Sequence, residues 1–150
     1  MTGPSFRFRL ERLRALRERS EDAAKLALAG AIQDHSHCED EVRAAGDRLL
    51  QARAAQLDAA TMPSSAGDLV ARQAYLERAE RLHVAMRGDL HRHEQELERR
   101  REALSVARQD RQALERLKEQ RRVDHEREAA RREGQVLDEI AINRYLRNAA

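Results

Sequence analysis

From residue 69 onward the chain repeats itself every seven positions. Leu69, Leu76, His83, Leu90, Leu97, Leu104 and Arg111 form one series, and Ala79, Met86, His93, Arg100, Ala107 and Leu114 form a companion. Seven-residue recurrence of mostly apolar side chains keeps one seam of a helix turned towards a partner helix and supercoils the pair left-handedly. The upstream half carries a matching 3-4 spacing in Leu28, Ala31, His35, Cys38, Val42, Ala45, Leu49 and Ala52. A looser phase runs back through Leu16, Leu13, Leu10 and Phe6.

One stretch interrupts the pattern. "TMPSSAGD", residues 61–68, combines Pro63, two serines and Gly67, so helix should stop there. Ser65, with Asp68 three residues on and Leu69 behind it, is a start signal for the next helix. The spacing therefore predicts a single coiled-coil domain with one helix over about 5–60, a turn at 61–68 and a second helix over about 68–148. A short connection makes the helices antiparallel. The expected fold is all-α: a long antiparallel two-helix coiled-coil hairpin with an overhanging C-terminal helix.

With the turn centred near residues 64 and 65, residue i of the first helix faces roughly residue 129 minus i of the second. Phe6 then falls near Val123, and everything after about residue 124 overhangs. At about 1.5 Å per residue the two helices would be roughly 80 and 120 Å long, leaving nearly 40 Å unpaired. The overhang holds "RREGQVLDEIAINRYLR", in which Val136, Leu137, Ile140, Ala141, Ile142, Tyr145 and Leu146 cluster after a long charged stretch. Without an internal partner this face meets water, the mark of a docking surface.

Composition agrees with a narrow seam. The chain is 37% charged, 3% aromatic and free of Trp, so it cannot fill a globular core; helix propensity and i,i+4 ion pairs have to carry more of the stability. Twenty-nine Lys plus Arg oppose 27 Asp plus Glu, a net charge of +2 that argues against general nucleic-acid binding. The lone Cys38 leaves no internal disulfide. "MTGPSFRFRLERLR" lacks the apolar run of a signal peptide, so a cytoplasmic location is expected, and "LALAGAI" at 26–32 is too short to span a bilayer.

Three further groups of residues need weighing. His35, Cys38 and His93 fall at one level of the seam, where imidazole and thiolate could bind zinc or could form a polar layer that fixes register. The second reading is preferred, and neither metal nor cofactor is expected. Arg7, Arg9, Arg12, Arg14, Arg17 and Arg19, with Arg111, Arg116, Lys118, Arg121 and Arg122 opposite, make the end away from the turn basic, suited to an acidic or carbonyl-lined receptor or simply solvated. Tyr75, Ala79, Leu82 and Met86 are spaced 4, 3 and 4. Ala79 and Met86 also fit the seam, whereas Tyr75 and Leu82 fall beside it and invite a partner. No phosphate loop, nucleophile elbow or paired cysteine is present, and the carboxylates are interleaved with Arg, so no catalytic residue is assigned and an enzyme is not expected.

The two ends, "SFRFRLERLRALRERSEDAAKLALAGA" and "LERLKEQRRVDHEREAARREGQVLDEIA", resemble those of the FliJ family, coiled-coil stalk proteins of the bacterial flagellar export apparatus. The resemblance spans nearly the whole chain. It rests on Phe6, Phe8, Leu10 and Leu13 at the start and on Leu137, Asp138, Glu139, Ile140 and Ala141 near the end. It implies a hairpin similar to the stalk of the rotary ATPase gamma subunit. The terminal end, with Phe6, Phe8, Leu10, Leu13, Leu137, Asp138, Glu139 and Ile140, would enter the flagellar export ATPase hexamer. Tyr75, Ala79, Leu82 and Met86 would match the family's surface for the membrane-embedded export gate, Met86 replacing a residue that is usually polar. The resemblance also implies a role with export chaperones and a place at the cytoplasmic face of the inner membrane, without insertion into it. A virulence-type secretion stalk and a scaffold that homodimerises through its tails are the alternative readings.

Overall fold

The computed structural model describes residues 5–148 and consists of two helices, α1 (Glu11–Thr61) and α2 (Ala66–Asn148), packed against each other, with no strand among the described residues. The chain divides into two compact units: one formed by the two ends of the chain up to Glu21 and from Val106, the other by Asp22–Ser105.

In the 22–105 unit the turn is built from local hydrogen bonds. Thr61 Oγ1 donates to the Asp58 carbonyl at 2.8 Å, closing the last turn of α1. Pro63 then prevents continuation, because it biases Met62 away from helical backbone and has no N–H. Ser65 caps α2: the Asp68 amide donates to Ser65 Oγ (3.1 Å), and the Ser65 amide and hydroxyl donate to the Asp68 carboxylate (3.3 and 2.8 Å). This reciprocal capping box satisfies donors that the first helical turn leaves orphaned.

The core of this unit is a seam and nothing wider. Ala31, Cys38, Ala45, Leu49, Ala52 and Ala59 of α1 are buried, as are Ala79, Leu97 and Leu104 of α2, and the tightest cluster joins Leu49, Ala52 and Ala79 with Leu76 alongside. Alanines let two helices approach closely, but a pair of helices cannot surround a large side chain. No large side chain among the described residues is fully buried. The register is the expected one. Gln56 donates to Gln73 at 3.4 Å, and the Gly46 position lies against the His83 ring, each pair obeying the 129-minus-i rule.

The unit formed by the chain ends follows the same register with different chemistry. Lys118 bonds Glu11 at 2.8 Å, Arg14 lies 4.0 Å from Glu115, and Arg17 pairs with Asp110 at 3.0 Å. Glu21 is buried in the seam, where Arg111 donates to it and Arg108 lies 3.7 Å away. Here charge pairs take the place that alanine and leucine hold in the other unit.

One expectation is corrected. Helix was expected from about residue 5, yet residues 5–8 have no regular structure and α1 begins only at Glu11. Phe6 and Phe8, both half-buried, alternate with exposed Arg7 and Arg9, a two-residue pattern that helical backbone, which would set the rings about 200° apart, does not give. Phe6 is thereby laid against His125 of α2, with ring centroids 5.7 Å apart.

Candidate functional site

Two surfaces stand out. The first is the free end of α2. Phe6 lies against His125, and all residues from 135 to 148 are exposed. Leu137 is 66% and Tyr145 75% exposed, and Val136, Ile140, Ile142 and Leu146 are exposed as well. At about 100° per residue these side chains do not form a stripe. Val136 and Ile140 point one way, Leu137 and Ala141 are turned from them, Tyr145 lies further round, and Ile142 and Leu146 occupy the back. Apolar side chains thus stay exposed on every side of this stretch, interspersed with Asp138, Glu139, Asn143 and Arg144. Asp138 and Glu139 are exposed and enter no ion pair among the described residues.

Phe6, Phe8, Leu10 and Leu13 do not join that patch. Phe6 and Phe8 are half-buried, and Leu10 and Leu13 are partly exposed, at the level of residues 117–125 of α2. Leu137 is twelve residues beyond His125, roughly 18 Å along the helix. The residues that the resemblance assigned to one surface thus form two groups in this unit. Phe6, Phe8 and Leu10 of the first group line a cleft of about 460 Å³ with Leu117, Arg121 and His125, and Leu13 lies outside it. Sequence reasoning missed the α2 side of the cleft; its signal was the Phe-Arg-Phe-Arg alternation, whose period is wrong for a helix.

Charge at this base is partly spent. The Glu11 carboxyl is held below its ordinary pKa by hydrogen bonds from Lys118 and Arg14, and the Arg111 guanidinium is raised by those to Glu21 and Glu115. Arg7, Arg9, Arg12 and Arg121 have no ion-pair partner among the described residues.

The second surface belongs to the 22–105 unit. Tyr75 and Leu82 are exposed, one heptad apart on one flank of α2. Ala79 is buried at 8% exposure against Leu49 and Ala52, and Met86 is half-buried. The four therefore split, with Tyr75 and Leu82 outward, Ala79 in the seam and Met86 at its margin.

His35, Cys38 and His93 lie in the seam without forming a metal centre. No group of three or more His, Cys, Asp or Glu among the described residues is arranged to hold an ion. His35 faces Glu39 at 3.6 Å. Burial, with Glu41 and Asp89 adding to it, pushes the Cys38 thiol above its ordinary pKa, away from the thiolate that a metal would need. Cys38 acts as a small apolar seam residue.

These features define a helical hairpin that leaves large apolar side chains exposed beside and beyond a packed seam. The family model of the flagellar FliJ protein matches residues 6–150, and the chain belongs to that family. It is accordingly a component of the flagellar protein export apparatus, in a family of non-enzymatic export proteins. No curated protein and no solved structure matches the chain. Among the described residues no helix is long and apolar enough to cross a membrane.

Proposed function

We propose that the free end of α2 docks in the central hole of the flagellar export ATPase hexamer and that Tyr75 and Leu82 contact the membrane-embedded export gate, so that one chain connects the two at the cytoplasmic face of the inner membrane. The observation that carries this reading is that apolar side chains stay exposed on every side of residues 136–146, among Asp138, Glu139, Asn143 and Arg144. A groove would cover one stripe of such a helix, whereas a ring covers its whole circumference. The chain then transmits ring motion or assembly state through packed helices and performs no chemistry itself. Handling of export chaperones belongs to the same reading, on the family resemblance alone.

The test is Leu137→Asp combined with Ile140→Asp. Both side chains are exposed, so helicity by circular dichroism should be unchanged while co-purification with the ATPase is lost. Undiminished co-purification overturns the assignment.

A further inference from the structure

The cleft at the base of the hairpin is not explained by the free α2 end. It is lined by the apolar Phe6, Phe8, Leu10 and Leu117 together with Ser5, Arg7, Arg9, Arg121 and His125, and no carboxylate lines it. Of the acids beside its lining residues along the chain, Glu11 is bonded by Lys118 and Arg14 and Glu126 by Arg122, while Asp124, next to His125, is not among the lining residues. An enclosure of about 460 Å³ lies within the roughly 300–1,000 Å³ of cavities that accept ligand groups.

We propose that this cleft receives an acidic, apolar peptide segment of a partner protein: one apolar side chain fills the space between the two Phe rings and Leu117, and flanking carboxylates pair with Arg7, Arg9 and Arg121. Charge complementarity names the occupant. Three guanidiniums with no ion-pair partner among the described residues line the cleft beside Phe6, Phe8, Leu10 and Leu117, and each presents a planar fork that a carboxylate matches in bidentate fashion. Concavity decides against a membrane, which would need the aromatic rings to protrude; Phe6 instead turns inward onto His125. Nucleic acid is disfavoured on the same ground. Its bases stack on open aromatic faces and its backbone follows an extended basic track, whereas Arg14, Arg17 and Arg111 of this unit are drawn into pairs with Glu11, Asp110 and Glu21.

The proposal concerns residues 6–10 and 117–125 only and stands whether or not a ring encloses the free α2 end. Fluorescence anisotropy of the full chain against a labelled amphipathic Glu/Leu peptide tests it, with the matching Lys/Leu peptide, a Glu/Ser peptide, anionic phospholipid vesicles and duplex DNA as parallel probes. The intact protein should bind the Glu/Leu peptide alone. Arg7→Glu with Arg121→Glu should weaken binding at least about tenfold, as should Phe6→Ala with Phe8→Ala, while Arg19→Glu, an equal charge change outside the cleft, should leave it in place. Equal loss with Arg19→Glu, or equal binding of the Glu/Ser peptide, would reduce the effect to net charge and overturn the proposal. Capture by vesicles or DNA in preference to the peptide would overturn it too. Leu137→Asp with Ile140→Asp should not alter peptide binding, which separates this result from the ATPase assignment.

Discussion

At the scale of single residues, the seam tolerates three kinds of occupant, and each responds differently to substitution. Leu49 packs in the small cluster with Ala52 and Ala79, so Leu49→Ala should lower stability by about 2–4 kcal/mol, read from thermal or denaturant unfolding. Gln56 is an uneasy occupant, because its Oε1 is buried and accepts no hydrogen bond. Gln56→Leu should raise the unfolding midpoint, since the replacement removes an unsatisfied acceptor and adds apolar contact. Glu21 is buried and held by Arg111 and Arg108. Its desolvation offsets much of the attraction, so Glu21→Leu with Arg111→Leu should leave stability unchanged or raised, while Glu21→Ala alone should lower it by stranding Arg111 with only Glu115. Glu21 and Arg111 thus contribute register more than stability.

At the scale of elements, the helices end where short-range chemistry ends them. The Ser65–Asp68 capping box starts α2, so Ser65→Ala should cost about 1 kcal/mol and increase amide exchange in the first turn. Asp68 is held below its ordinary pKa by hydrogen bonds from the Ser65 side chain and backbone, and Glu11 and Glu119 by hydrogen bonds from Lys118 with Arg14 and from Arg122. A carboxyl whose pKa is depressed on folding binds its proton less tightly in the folded chain. The stability it contributes is therefore present above its ordinary pKa and lost as pH falls through the depressed value. Helicity and unfolding midpoint should hold at neutral pH and fall below about pH 4, and Asp68→Asn should flatten part of that decline. The hairpin, its register and the turn were legible because heptads and one Pro-containing break dictate them. The start of α1 was not, since a loose helical phase through Phe6, Leu10 and Leu13 concealed a two-residue alternation that a six-residue stretch can follow once a second helix is there to pack on. The ionic seam near Glu21 was also hidden: Glu and Arg at heptad positions look like solvated charge until the facing helix removes the water.

At the scale of the whole molecule, the physical question is how one chain keeps two exposed apolar surfaces from interfering with folding. Its answer is to place them outside the seam. The free α2 end lies beyond the last facing residue, and Tyr75 and Leu82 lie on a flank, so both remain exposed when the helices have packed. The exposure of those residues was readable from their position relative to the heptad, and the separation of Phe6 from Leu137 and Ile140 from the 129-minus-i register, whereas the seating of Phe6 on His125 was not, because it depends on the non-helical backbone of residues 5–8. This arrangement makes the surfaces separable by mutation. Tyr75→Ala with Leu82→Ala removes apolar area on the flank and leaves Ala79 in the core, so helicity and unfolding midpoint should change little. Under the proposed function, this double variant should lose association with the export gate in a pull-down yet retain the ATPase, and Leu137→Asp with Ile140→Asp should show the reverse. Ala79→Asp is the instructive contrast. It buries a charge against Leu49 and Ala52 and should unfold the middle of the seam, lowering helicity and weakening both associations together. Should the flank variant lose both partners while remaining folded, the two surfaces are not independent, and the picture of a packed seam with docking sites set beyond it fails.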